Sequence, residues 1–249
     1  MVIASPRDAS FALQRTAALL DLALAAPTAA LVARVYGRRA ASRYALALGG
    51  GLALQHAFLH VIRSAAGPEP ASPADLLTHS RATTGSVLAG LIAAGVRDRT
   101  GAAGRLAWAG TLVAVTASDW LDGPLARRAR PTRLGRALDI EADSWLTLWS
   151  AVAAVAWGGL PRWCLAPPVL RYGHPLLDVL EGRLPAGGGP WWARATGTAQ
   201  MLLVVAALAP FRRPGREGLL AWLAAPVSAA QGATMLVLLW RRWHGTSGC

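Results

Sequence analysis

The sequence predicts an all-α protein: a polytopic bundle of helices that crosses a membrane several times. Three observations point to it. The 249 residues are 54% hydrophobic and 15% charged, whereas an average soluble domain is about 25% charged. Several apolar stretches approach 20 residues, about the length needed to cross ~30 Å of hydrocarbon. Many of the 11 tryptophans fall at the ends of these stretches (Trp108, Trp120, Trp163, Trp191, Trp192, Trp240, Trp243), and indole rings favour the membrane–water interface.

Eight segments follow in order. After a polar lead, an apolar run at 12–35 ends in the basic turn Arg38-Arg39-Ala40-Ala41-Ser42-Arg43. Asp21 interrupts this run, which argues for a retained helix over a cleaved signal peptide. The second segment, 44–63, contains Gly49-Gly50-Gly51, small residues of the kind that let membrane helices approach closely. These two are the least secure as full spans. The Pro-rich break Gly67 to Pro73 cannot be helix interior and separates an N-terminal extension (1–72) from a main unit (73–243), with a short tail at 244–249. The third segment, 75–96, opens on polar residues: Thr78, His79, Ser80, Arg81, Thr83 and Thr84. A span that begins so polar lines something wet or packs on a polar partner. The fourth covers 105–122, and the fifth runs from Asp139 to about Gly159. The sixth, 164–180, holds Pro167, Pro168 and Arg171; the seventh covers 195–211 and the eighth 218–240.

The charge balance excludes more than it identifies. All 25 basic residues are arginine and the net charge is +12. Arginine in membrane loops beside anionic headgroups accounts for this. Because the arginines sit at segment ends and not on one soluble face, nucleic acid is not expected as a partner. Alternate loops are similarly basic, so charge sets no orientation. Cys164 and Cys249 make no disulfide framework.

The informative stretch is 119–143, which holds five of the 13 acidic residues between apolar segments. Asp119 and Asp122 are three apart, and Asp139 and Asp143 four apart, so each pair shares a helix face. The turn between them contains Gly123, Pro124, Pro131 and Gly135, and can bring four carboxylates to one focus near one membrane face. A charged Asp within a span costs about 2.5–3.5 kcal/mol, and four together repel. A hard divalent cation resolves both problems, and oxygen ligands favour Mg²⁺, Mn²⁺ or Ca²⁺ over zinc. Four carboxylates suit two ions, the arrangement that clamps attacking and leaving oxygens in phosphoryl-type displacement. Arg127, Arg128, Arg130 and Arg133 beside them suit a phosphate-bearing ligand. The plainer alternative, Asp–Arg ion pairs in a solvated loop, is outweighed by two helical-face pairs flanked by glycines.

These residues carry a resemblance. Asp119-x-x-Asp122-Gly123-x-x-Ala126-Arg127, seven residues, then Gly135-x-x-x-Asp139-x-x-x-Asp143 matches all eight fixed positions of the signature of the CDP-alcohol phosphotransferases (CDP-alcohol phosphatidyltransferases). Upstream, Asp75-Leu76-Leu77-Thr78 resembles that family's Pro-(Asn/Asp)-x-x-Thr element, with the proline displaced to Pro73 and Arg81 beyond it. Downstream, Arg194 to Gln200 faintly resembles a stretch of the glycerophosphate-accepting members, with Arg in place of Lys.

The resemblance, over 73–243, implies a six-helix membrane core, dimeric, in the cell membrane, with its active site facing the cytoplasm. It implies transfer of a substituted phosphate from a CDP-linked lipid such as CDP-diacylglycerol to an alcohol, with release of CMP, in phospholipid biosynthesis. Asp119, Asp122, Asp139 and Asp143 would hold Mg²⁺ or Mn²⁺, with Asp143 also the base that deprotonates the acceptor hydroxyl. Asp75, Leu76, Leu77, Thr78, Gly123, Ala126, Arg127, Thr132 and Gly135 would contact the CDP moiety. The acceptor would be a small alcohol, with glycerol 3-phosphate or a related polyol phosphate favoured by the downstream stretch. Arg171 or Arg194 would bind its phosphate.

Other residues have blander readings. His56 and His60 are four apart, a spacing that can bind metal, but no third ligand is evident and packing or an interfacial role is expected. Glu141 lies off the Asp139/Asp143 face and is not expected to be a ligand. Trp145 and Trp149 share a face for packing or lipid contact. Two other classes of function remain: an inactive family-like partner protein, and a transporter using the Asp cluster as a cation site. A transporter would need acids spread through the membrane depth, whereas these gather at one face.

Overall fold

The computed structural model describes residues 6–67, 73–96, 109–114, 132–157, 159–185, 189–209 and 216–244. All regular structure among them is helical: α1 (Pro6–Tyr36), α2 (Arg38–Ala66), α3 (Pro73–Ala93), the short stretch α4 (109–114), α5 (Arg133–Ala156), a 3₁₀ turn (Arg162–Leu165), α6 (Ala166–Leu180), α7 (Trp191–Leu208) and α8 (Arg216–Trp243).

Several boundaries differ from expectation, each for a local reason. The basic run Arg38 to Arg43 is not a turn. It forms the first turns of α2, and the reversal is made at Gly37 alone, whose φ of 82° suits glycine. Helix α5 begins six residues before Asp139 because Thr132 caps it, its Oγ1 accepting from Gly135 N at 2.9 Å. Arg133 is therefore helical. Helix α7 begins at Trp191, directly after Pro190, which stands at its N-cap with φ −58° and ψ 154°.

The order of the candidate spans also differs from expectation. Among the described residues, the helices long and apolar enough to cross a membrane are the two N-terminal segments, least secure as spans from sequence, and α8: Arg15–Tyr36, Arg38–Ala66 and Gly218–Trp243. Their outer faces carry exposed Leu19, Leu22, Leu46, Leu219 and Trp222, apolar surface that water would not tolerate but lipid does. Helices α3 and α5 carry most of the buried polar side chains among the described residues, and they lie at the centre. They pack most extensively on each other, with α1 and α2 on one side and α6, α7 and α8 on the other.

The side-chain contacts give the direction of each helix. Asp21 of α1 meets His56 of α2, and Thr28 meets Tyr44, so α1 and α2 are antiparallel. Gln55 of α2 meets Glu141 of α5 and Gly51 faces Trp145, so α2 also opposes α5. Asp21 meets Thr83, and Tyr36 meets Val96, so α1 and α3 run the same way. His174 of α6 meets Met235 of α8, and Asp178 meets Arg242, so these two are parallel, whereas Thr196 and Gln200 of α7 meet Thr234 and Ser228 of α8 in reverse order. This is an up-and-down bundle, with the N-termini of α1, α3, α5 and α7 at one end.

Packing between the central helices uses small residues selectively. Of the three glycines 49–51, Gly51 alone is at a close approach: a Cβ there would lie 2.9 Å from Ser86 Oγ. Trp145 fills the space beyond it, 5% exposed, donating from Nε1 to Ser86 Oγ at 3.1 Å and stacking edge-on with Trp149 at 5.6 Å. Those two tryptophans therefore serve packing. Trp163, Trp191, Trp240 and Trp243 are 49–74% exposed, as interfacial anchors would be.

Candidate active site

The site is built where the first turns of α3 and α5 face each other. On α3, Asp75, Thr78 and Arg81 recur every three residues and share one side of the helix; they are 3%, 6% and 2% exposed. On α5, Gly135, Asp139 and Asp143 recur every four residues and form one row. The two rows meet in register. Gly135 faces Asp75: a Cβ at Gly135 would lie 3.0 Å from Asp75 Oδ1 and 2.9 Å from Thr132 Oγ1. Further along, Arg81 reaches both acids.

Arg81 is the centre of this arrangement. Its Nη1 donates to Asp143 Oδ1 at 2.7 Å, and its Nη2 to Asp139 Oδ1 at 2.7 Å and to Thr78 Oγ1 at 3.3 Å. One planar guanidinium thus spans two carboxylates a helical turn apart, a task suited to its fixed fork. The carboxylates remain accessible, Asp139 45% and Asp143 27% exposed, although Arg81 itself is buried. Sequence reasoning noticed Arg81 but gave it no role. The available signal was its place three residues beyond Thr78 on the face of Asp75.

The structure thus brings Asp75, Thr78, Thr132, Gly135, Asp139 and Asp143 to one focus. Leu76 and Leu77 lie beside them, half-buried on α3. Asp119, Asp122, Gly123, Ala126 and Arg127, five of the eight fixed positions of the signature, lie outside the described residues. Thr132 has a local role as the cap of α5.

The remaining candidates separate. Arg171 of α6 packs over α7, its Nη1 2.6 Å from where a Cβ on Gly197 would stand. Arg194 is exposed three residues earlier on α7. Both are thus associated with one helix, whose N-terminus is at the same end of the bundle as that of α5. Glu141 points away from the Asp139/Asp143 row. It is 3% exposed, and its Oε1 accepts from Gln55 Nε2 of α2 at 2.8 Å. His60 is exposed and makes no pair with His56, which instead faces Asp21 and, at 5.4 Å between ring centroids, His79. A cleft between α1, α2, α3 and α5 is lined by Gln55, Asp75, Thr78, His79 and Glu141, so it opens beside the acidic focus.

In donor chemistry the described acids fit a hard divalent ion: two half-exposed carboxylates on one helix row, offering oxygen only. Their bridging by Arg81 also gives the focus a resident cation, which lets two acids stand together beside apolar helices.

No curated protein and no solved structure matches the chain. A family model does: that of the CDP-alcohol phosphatidyltransferases matches residues 72–237, which takes in α3, α5, α6, α7 and most of α8. The acidic row, the Arg81 fork and the polar start of α3 all lie inside that match, and the chain belongs to the CDP-alcohol phosphatidyltransferase family.

Proposed function

We propose that this membrane protein transfers a phosphatidyl group from CDP-diacylglycerol, or a closely related CDP-alcohol, to a small alcohol in phospholipid biosynthesis. The observation that carries this is the pairing of Asp139 and Asp143 by Arg81 against Asp75 and Thr78, inside the segment that matches the family. In this reaction the acceptor hydroxyl oxygen attacks the phosphorus that bears the diacylglycerol. The bond from that phosphorus to the bridging oxygen breaks, and CMP leaves with the bonding electrons.

Asp143 takes the acceptor's proton, as a half-exposed carboxylate at the focus can. Arg81 holds Asp143 and Asp139 in fixed relation, so the base is oriented before substrate arrives. Thr78 and Asp75 line the edge of the cleft and contact the CDP moiety, with Leu76, Leu77, Thr132 and Gly135 beside them; Gly123, Ala126 and Arg127 complete that contact. Asp139 and Asp143, with Asp119 and Asp122, hold two divalent ions, Mg²⁺ or Mn²⁺. When bound, these ions offset the charge on the pyrophosphate and on departing CMP.

The acceptor is a polyol phosphate of the glycerol 3-phosphate kind. Two cationic side chains on the α6/α7 face, Arg171 and Arg194, offer guanidinium groups for its phosphate. The chain divides at the Pro-rich break into an extension (1–72), the core (73–243) and a tail (244–249). It acts as a homodimer in the cell membrane with the focus toward the cytoplasm, where a soluble polyol phosphate can enter and CMP can leave.

The test is CMP release by the purified protein from CDP-diacylglycerol with Mg²⁺ and a panel of alcohols. Release with glycerol 3-phosphate, above that with uncharged glycerol, is expected. Release that needs an unphosphorylated acceptor would sink the acceptor assignment and leave the reaction class standing.

A further inference from the structure

A second polar focus lies where the N-terminal helices meet the core, away from the Asp139/Asp143 row. Asp21 is in the apolar span of α1, yet it is 5% exposed and turned inward. Its Oδ1 accepts from Thr83 Oγ1 at 2.6 Å and stands 3.0 Å from His79 Nε2. Its Oδ2 stands 2.8 Å from His56 Nε2. Three helices contribute: Asp21 from α1, His56 from α2, His79 and Thr83 from α3. The ligand-capable atoms of Asp21, His56 and His79 all lie within 4.8 Å of one another.

We propose that Asp21, His56 and His79 form a binding site for one zinc-class divalent ion, distinct from the oxygen-ligand site on α5, that staples α1 and α2 to α3. Two imidazole nitrogens and one carboxylate oxygen are the donor set of Zn²⁺ and its neighbours, whereas Mg²⁺ prefers oxygen alone. Tetrahedral bonds of about 2.0–2.2 Å put neighbouring ligand atoms roughly 3.3 Å apart. The 2.8 and 3.0 Å contacts are made by different oxygens of Asp21, so binding one ion needs these to open by a few tenths of an ångström and the widest pair, within 4.8 Å, to close by up to about 1.5 Å. Thr83 has the place of an outer partner that orients a ligating carboxylate. A buried carboxylate within a span demands compensation, and an ion bound by three helices supplies it while fixing their packing. His79 also lines the cleft beside Thr78, so the staple would fix one wall of the active site.

The experiment uses the full-length protein in detergent, with excess Mg²⁺ to occupy the oxygen site, and Co²⁺ as the spectroscopic probe. One Co²⁺ per chain with visible d–d absorption, displaced by Zn²⁺, is expected, together with a Zn²⁺-dependent rise in Tm. His56→Gln and His79→Gln retain an N–H to face Asp21 but lose the imidazole. Each should weaken Zn²⁺ by more than about tenfold and abolish the Zn²⁺-dependent Tm shift, and His60→Gln should change neither. Wild-type protein that takes up no stoichiometric Co²⁺ or Zn²⁺, or uptake indifferent to both Gln substitutions, would reduce the cluster to a hydrogen-bonded ion group and overturn the proposal. If both variants fail to fold, chelation of the wild type decides. A fall in Tm restored by Zn²⁺ supports the site, and an unchanged Tm refutes it. None of these readouts depends on transferase activity.

Discussion

Arg81 changes what a substitution at the acidic row should do. Asp143→Asn leaves Arg81 still bonded to Asp139, so the protein should fold while losing its base. The double variant Asp139→Asn/Asp143→Asn removes both of these carboxylates from a guanidinium that is 2% exposed. Stripping partners from a buried charge costs about 3–5 kcal/mol. The double variant should therefore be destabilised by more than the sum of the singles, read as Tm or as folded yield in detergent; simple additivity would mean that the fork does not matter for folding. Gly135 is a second sensitive point. A methyl group there would press on Asp75 Oδ1 and on the capping Thr132 Oγ1, and forced overpacking costs about 1–3 kcal/mol. Gly135→Ala should lower both Tm and CMP release, whereas unchanged release would show that α3 can move aside. The glycine was legible in the signature, but its reason was not: one sequence cannot reveal that Asp75, sixty residues away, stands against it.

At the scale of helices, apolar length was the readable part. Each apolar segment with a described counterpart coincides with a helix, because apolar length is the signal a membrane helix must give. The ends were less legible. Arg38 to Arg43 looked like a turn by charge, yet Gly37 alone reverses the chain and the arginines begin α2. The start of α5 depended on Thr132, a cap that is unremarkable in sequence until Gly135 N is seen to donate to it. Asp21, His56 and His79 belong to three helices, so their convergence appears in no spacing; the i,i+4 pair His56/His60 was the wrong partner to consider. The α6/α7 face gives a prediction at the same scale. If Arg171 and Arg194 serve the acceptor phosphate, Arg171→Ala or Arg194→Ala should raise KM for the polyol phosphate by about tenfold or more, the effect of losing one charged hydrogen bond of roughly 1.5–3 kcal/mol. KM for CDP-diacylglycerol should stay within about twofold. Equal changes in both constants would point to damage to the bundle.

For the molecule as a whole, α3 and α5, which hold most of the buried polar side chains among the described residues, occupy the centre, and α1, α2 and α8 present leucine and tryptophan outward. The extension is thus part of the packed bundle: α2 gives Gln55 to Glu141 of α5, and α1 gives Asp21 to Thr83 of α3. The first two segments were the least secure as spans from sequence, and Asp21 and the glycine run are their unusual features. The structure accounts for both, since Asp21 is turned inward and Gly51 meets Ser86. A chain lacking 1–72 would leave Glu141 and the polar face of α3 without these partners, and should accumulate poorly in membranes. Normal yield and activity of that truncation would show that the core stands alone. The central claim is that Asp143, held beside Asp139 by Arg81, carries phosphatidyl transfer from a CDP-alcohol. Its most direct test is CMP release from CDP-diacylglycerol by wild type and by Asp143→Asn at matched folded concentration, with Mg²⁺ and acceptor present. The account predicts Mg²⁺-dependent release by the wild type and a loss of at least about 100-fold in the variant, the scale of removing a general base. Wild-type-like release by Asp143→Asn would contradict it.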